Sequence, residues 1–158
     1  MDPALQETID WVALRRLQDA YADIVTRREW AELADVFRAD TRIVVDTRAG
    51  RHEFVGPGPF GDFVRDSIEK FEFFEFVIRN TRLYIGEDGD PDAARGRMFM
   101  SELRQEQASG RWTTIHGVYH DHFRRVDGRW WFASRHYSSL ARPAGDVEVF
   151  PYPSPEPY

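Results

Sequence analysis

Cysteine is absent from this 158-residue chain, so neither a disulfide framework nor a thiolate site is available. No apolar run approaches the ~20 residues that a membrane-spanning helix needs, and the N-terminus carries no signal-peptide pattern. A cytoplasmic protein with no membrane partner is therefore expected. Basic blocks are missing too. The 21 Lys and Arg are scattered among 27 acids, for a net charge of -6, which leaves no footprint for a phosphate backbone and excludes nucleic acid as an expected partner. What the chain has in quantity is aromatic side chains: twelve Phe, six Tyr and five Trp. They suit a curved sheet packed on helices or, more sharply, a pocket for a flat or ring-shaped ligand. A chain of this length predicts one globular unit that buries roughly 70% of its unfolded surface.

Leu14, Leu17, Tyr21 and Ile24 recur at helical spacing, and Thr8 can cap the helix they predict, which runs to about Arg27. Trp30, Leu33, Ala34 and Phe37 form one face of a second, shorter helix. β-branched residues predict a strand over Thr41–Asp46, broken at Arg48-Ala49-Gly50, with His52 in the loop beyond. After Gly56-Pro57-Gly58-Pro59, the residues Phe60, Phe63, Val64 and Ile68 predict a third helix. Phe73–Ile85 reads as a strand with Phe74, Phe76, Ile78, Asn80, Arg82 and Tyr84 on one face, and Ala94–Gln105 as another. Arg111 to Tyr137 reads as a long hairpin turned at Asp127-Gly128. Residues 142–158 hold five prolines and read as an extended arm beyond a folded unit over 1–141, with Val147, Val149, Phe150 and Tyr152 able to pack it down. Helices first and long strands afterwards argue for an α+β fold with helices covering one curved sheet.

The hairpin holds His116, His120, His122 and His136 together with Tyr119, Asp121 and Arg135. Alternation places Gly117, Tyr119, Asp121 and Phe123 on one face of its first strand, and His116, Val118, His120 and His122 on the other.

Four stretches, in order, resemble the nuclear-transport-factor-2-like superfamily, in particular its SnoaL-like and scytalone-dehydratase-like branch. They are Leu17-Gln18-Asp19-Ala20-Tyr21, Arg28 to Phe37, Ile78 to Leu83, and Val118-Tyr119-His120-Asp121 followed by Val126 to Trp130. The resemblance covers roughly residues 8 to 141. It implies a cone-shaped α+β barrel, in which three N-terminal helices pack on a strongly curved, mixed and mostly antiparallel sheet. It also implies an apolar pocket at the open end and a homodimer through the outer sheet face. Many members pair a helix-borne Asp with a strand-borne His as acid and base. Here the helix position is Thr26 and the strand position is Phe76, neither of which exchanges a proton near neutrality.

The same resemblance turns Tyr119 and Asp121 toward the pocket. A carboxylate in an apolar enclosure is raised by desolvation unless a cation offsets it, so Asp121 is the first choice for a general base, with Arg135 its nearby cation. The plainer reading is a structural Asp121–Arg135 ion pair at the rim. Tyr119 and Tyr21 are candidates to polarise a substrate carbonyl, although buried tyrosines more often satisfy their hydroxyls on the backbone. Phe76, Trp30, Thr26 and Arg135 are expected in the substrate-binding wall. Glu102, beside Met98 and Met100, enters the pocket as a second acid or reaches solvent at the strand end, the latter being favoured. His120 and His122 are spaced to share a zinc, but on a face expected to be the outer one, so no metal and no cofactor is expected.

The leading expectation is a small cofactor-independent enzyme acting by proton transfer (isomerisation, dehydration or cyclisation) on an apolar cyclic or polyketide-like molecule. The alternatives are a non-catalytic pocket protein that lost the dyad, and a structural subunit like the small β subunit of ring-hydroxylating dioxygenases.

Overall fold

The computed structural model describes residues 2–144 and 146–154. Its first helix, α1 (Pro3–Arg27), starts five residues before the Thr8 cap expected from sequence. Asp2 supplies the cap instead, its carboxylate accepting the Ala4 N–H at 3.0 Å, and Pro3 suits the first turn. Thr8 lies inside the helix and donates to the Ala4 carbonyl. The expected second helix is a single 3-10 segment, Trp30–Asp35, and Phe37 already belongs to a strand. Then follow β1 (Phe37–Asp46), β2 (Arg51–Val55), α2 (Pro57–Ile68), β3 (Phe71–Ile85), β4 (Ala93–Glu106), β5 (Trp112–Val126), β6 (Arg129–Ala144) and β7 (Asp146–Val149). His52 therefore sits on a strand rather than in a loop.

The strands form one sheet in the order β2-β1-β6-β5-β4-β3, with β7 added on β6. Every pairing is antiparallel except β1 with β6. The fold is thus α+β with a mixed, mostly antiparallel curved sheet. Two helical segments and the β1–β2 hairpin precede α2, in place of three consecutive helices, and among the described residues the sheet is open, with β2 and β3 at its edges.

Bulges bend the sheet and re-aim side chains. A register shift between Ile78 and Asn80 on β3 exchanges its faces: Phe74 and Phe76 point to the core before it, Leu83 and Ile85 pack on the core after it, and Arg82 and Tyr84 are exposed. Simple alternation had placed those last two beside Phe76. α1 lays Leu14, Leu17, Tyr21 and Ile24 against the concave side. The Tyr21 ring centre is 5.4 to 6.4 Å from those of Phe37, Phe60, Phe76, Tyr119 and Phe132, at distances where aromatic pairs attract.

A polar staple fixes the helix to the far end of the hairpin. Buried Asp10 accepts from Trp130 Nε1 at 3.0 Å and from Arg125 Nη1 at 2.6 Å. Asp127 and Gly128 turn the hairpin with φ of 52° and 77°, the pair of positive values a tight two-residue turn requires. The arm continues β6 and folds back as β7. Arg48 donates to the Pro151 carbonyl, and the Tyr152 hydroxyl lies 3.2 Å from His120 Nε2 on the outer sheet face. Residues 155–158 of the arm lie outside the described residues. Among the described residues no helix is long and apolar enough to cross a membrane.

Candidate active site

Between α1, α2 and the concave sheet lies a cavity of about 320 Å³. Val25, Phe60, Phe63, Ile68, Phe76 and Ile115 give it apolar walls. Tyr21 and Tyr119 reach it with hydroxyls 3.5 Å apart. Its polar side is built from Glu102, Arg104, Tyr137 and Arg142, with Lys70 also in the lining.

β4 explains Glu102. The inward residues of that strand run Ala94, Gly96, Met98, Met100 at period two, and the next two inward positions are Glu102 and Arg104. The Glu102 side chain keeps 20% of its surface exposed, and Arg104 Nη1 is 3.7 Å from its Oε2, an ion-pair distance but too long for a hydrogen bond. Burial raises the Glu102 carboxyl above the usual range, opposed by the charges of Arg104 and Arg142. The edge of the Tyr137 ring meets Gly117, where even a methyl group would come within 2.2 Å of a ring carbon, and its hydroxyl pairs with Ser139 at 3.0 Å. Burial is the main cause that raises the Tyr21, Tyr119 and Tyr137 hydroxyls, so all three stay protonated as donors.

Asp121 and Arg135 lie elsewhere. Their side chains are 0% exposed and joined twice, Nε to Oδ1 at 2.8 Å and Nη2 to Oδ2 at 3.1 Å. The guanidinium is sandwiched by the rings of Tyr21, Tyr119 and Phe132 at 4.0 to 4.3 Å. Burial raises the Asp121 carboxyl, and Arg135 and Gln18 oppose that rise. Burial is the largest influence on Arg135 and disfavours its cation, but Asp121, Tyr21 and Tyr119 together outweigh it and raise the guanidinium above its ordinary value. Two-point geometry of this kind favours the ionised pair. Gln18, wholly buried beside them, makes no properly aligned hydrogen bond through its amide among the described residues. Neither Asp121 nor Arg135 lines the cavity; the two tyrosines stand between.

The other expected residues divide. Phe76 and Glu102 line the cavity. Thr26 does not, and its hydroxyl accepts the Phe76 backbone N–H at 3.0 Å, so the two positions of the usual dyad do meet, without a proton to exchange. Trp30 packs under α2, where the missing side chain of Gly61 lets Leu33 approach. His120 and His136 are cross-strand neighbours on the outer face, and among the described residues no group of three His, Cys, Asp or Glu is arranged to hold a metal.

The model of the SnoaL-like domain matches residues 6–136. The chain belongs to this family. No curated protein matches it. Among solved structures, LinA superposes with a TM-score of 0.77 at 21% identity, covering 95% of this chain and 99% of that one. A hexachlorocyclohexane dehydrochlorinase, LinA-type3 from Novosphingobium barchaimii, gives 0.75 at 22% identity over 94% and 99%. A putative scytalone dehydratase from Novosphingobium aromaticivorans gives 0.75 at 15% identity over 98% and 96%. At these identities the likeness establishes the nuclear-transport-factor-2-like fold and nothing narrower.

Sequence reasoning did not find Arg104, Tyr137 or Arg142 in the cavity of this SnoaL-like chain. Arg104 was legible by parity from Met98. Arg142 was not, because Leu140 is an extra residue at a bulge opposite His116 and Gly117, which shifts the inward parity of β6 by one.

Proposed function

We propose that the protein is a small cofactor-independent enzyme that moves a proton on an apolar, ring-bearing molecule held in a cone whose open end is this cavity. The observation that carries the reading is one carboxylate, Glu102, raised by burial in an aromatic cavity that also presents two tyrosine hydroxyls 3.5 Å apart. In this reading Glu102 takes a proton from the carbon beside a carbonyl. The C–H electron pair moves into the carbonyl, and the enolate oxygen accepts hydrogen bonds from Tyr21 and Tyr119. Return of the proton to another carbon gives isomerisation, departure of a β-hydroxyl with a proton gives dehydration, and attack of the enolate carbon on a second carbonyl gives cyclisation. Two of the similar structures, a hexachlorocyclohexane dehydrochlorinase and a putative scytalone dehydratase, bear names that fit proton removal beside a leaving group. Asp121, beneath the tyrosines, holds Arg135 against their rings and takes a supporting part. A homodimer through the outer sheet face belongs to the same reading and is checked by light scattering.

The test needs no knowledge of the natural substrate. 2-Tetralone and related cyclic ketones are incubated with the protein in D2O, and loss of the α-proton signal is followed by NMR. Exchange above the buffer rate that falls to that rate in Glu102→Gln is the expected result. A second reading, a binding module without turnover, is favoured by Thr26 and Phe76 at the dyad positions; ligand binding with no exchange above the buffer rate by wild-type protein would select it.

A further inference from the structure

The chain carries a net charge of -6, yet the charged residues lining the cavity are Glu102 against Arg104, Arg142 and Lys70, an excess of two cations (three minus one). Lys70 is the sole lysine in the sequence. The two arginines are held in place but not used up. Arg104 packs its flat face on Phe71, 4.6 Å from the ring centre, which leaves the in-plane N–H groups to point sideways. Among the described residues its buried Nε has no hydrogen-bond partner, and its contact with Glu102 is 3.7 Å. Arg142 is anchored through one nitrogen, Nη1, which donates to the Thr47 carbonyl at 3.2 Å and to Ser139 Oγ at 3.4 Å. No hydrogen bond of its Nε or Nη2 occurs among the described residues. A buried guanidinium donor without an acceptor costs free energy that a matching anion returns. The opposite wall, with Phe60, Phe63, Val64 and Ile68, is mostly carbon, broken by Ser67.

We infer that the cavity selects a carboxylate-bearing substrate, whose anionic group is clamped between Arg104 and Arg142 while its apolar ring system lies against the phenylalanine wall. The inference rests on the reading above only in taking this cavity as the substrate site. It adds a consequence for the base: a carboxylate that engages both arginines diverts from Glu102 the two charges that oppose its protonation. Substrate binding thereby raises the proton affinity of Glu102.

The experiment titrates purified full-length protein by calorimetry with 2-naphthoate and with its neutral isostere 2-naphthamide. The expected result is that the carboxylate binds at least about tenfold more tightly, the step a charge-assisted hydrogen bond implies. That preference should be lost in Arg104→Gln/Arg142→Gln and kept in Arg104→Lys. Equal affinity for the two probes, or tighter binding of the amide, overturns the inference on wild-type protein alone, whether or not the double variant folds. A preference that persists in a folded double variant also overturns it. These outcomes are read from binding, so they stand apart from proton exchange: a protein that exchanges protons on neutral ketones and binds both naphthyl probes equally would keep the enzyme and lose the carboxylate clamp.

Discussion

One carboxylate–arginine pair bridges β5 and β6 and another lies along β4, and the two are built to opposite specifications. Asp121 and Arg135 are joined by two short hydrogen bonds, wholly buried, and sealed under three aromatic rings. Glu102 and Arg104 stand 3.7 Å apart, are partly exposed to a cavity, and leave donors unused. The first pair is satisfied and holds its surroundings in place; the second is incomplete and therefore able to take a ligand. Desolvation raises both carboxyls, so a raised carboxyl does not by itself mark the reacting group. Access and unspent hydrogen-bonding capacity decide.

The sharpest break of that comparison is kinetic. Glu102→Gln should lower ketone proton exchange by about two to four orders of magnitude, the usual contribution of a positioned base, with little change in melting temperature. Equal exchange rates in the variant and the wild type would move the base elsewhere. Next in size is stability at the sealed pair. Arg135→Met strands a buried carboxylate and should cost about 3–5 kcal/mol by chemical denaturation, while Asp121→Leu combined with Arg135→Met should recover most of it. If the double variant is as unstable as the single one, the aromatic sandwich rather than the charge pair is what Arg135 supports.

The helix stripe of Leu14, Leu17, Tyr21 and Ile24, the Asp127-Gly128 turn and the alternation in β5 were legible because each depends on a local period. The same alternation set Tyr119 and Asp121 on the inner face, and there it stopped being informative. Which inward residue touches the cavity depends on depth, and depth depends on where α1 crosses the sheet and how far the strands bend. Bulges also defeated simple counting. An extra residue at Ala133 shifts β6 so that Arg135, rather than Ser134, lies opposite Asp121, and the bulge at Leu140 brings Arg142 into the cavity. On β3 a bulge turned Arg82 and Tyr84 outward. No propensity in the residues themselves announces such insertions, since they are set by the curvature the whole sheet needs.

A smaller effect follows from Gly117. A Cβ there would fall 2.2 Å from a Tyr137 ring carbon, so Gly117→Ala must push the ring away from the strand and into the space beside Glu102. The overpacking should cost about 1–3 kcal/mol. It should also weaken 2-naphthoate binding more than Gly96→Ala does, where the neighbours are Leu83 and Phe123, outside the cavity. Equal losses in the two variants would mean that Tyr137 does not shape the ligand site.

The smallest effect is a pH slope, and it separates the two pairs without any ligand. Because the folded protein raises the Glu102 carboxyl above its ordinary value of 4.5, protonated Glu102 is favoured by folding. That contribution is fully present below the ordinary value and is lost as pH rises through the raised one. Glu102→Gln has no such loss, so its melting temperature should gain on that of the wild type as pH climbs from about 4 toward neutrality. Asp121 is present in both proteins and cancels in the difference, as does any pH-independent change in the contact with Arg104, which moves the whole difference curve without tilting it. A difference that stays flat over this range would mean that the charges of Arg104 and Arg142 already balance the burial of Glu102. The cavity wall would then be as self-satisfied as the sealed pair beneath it.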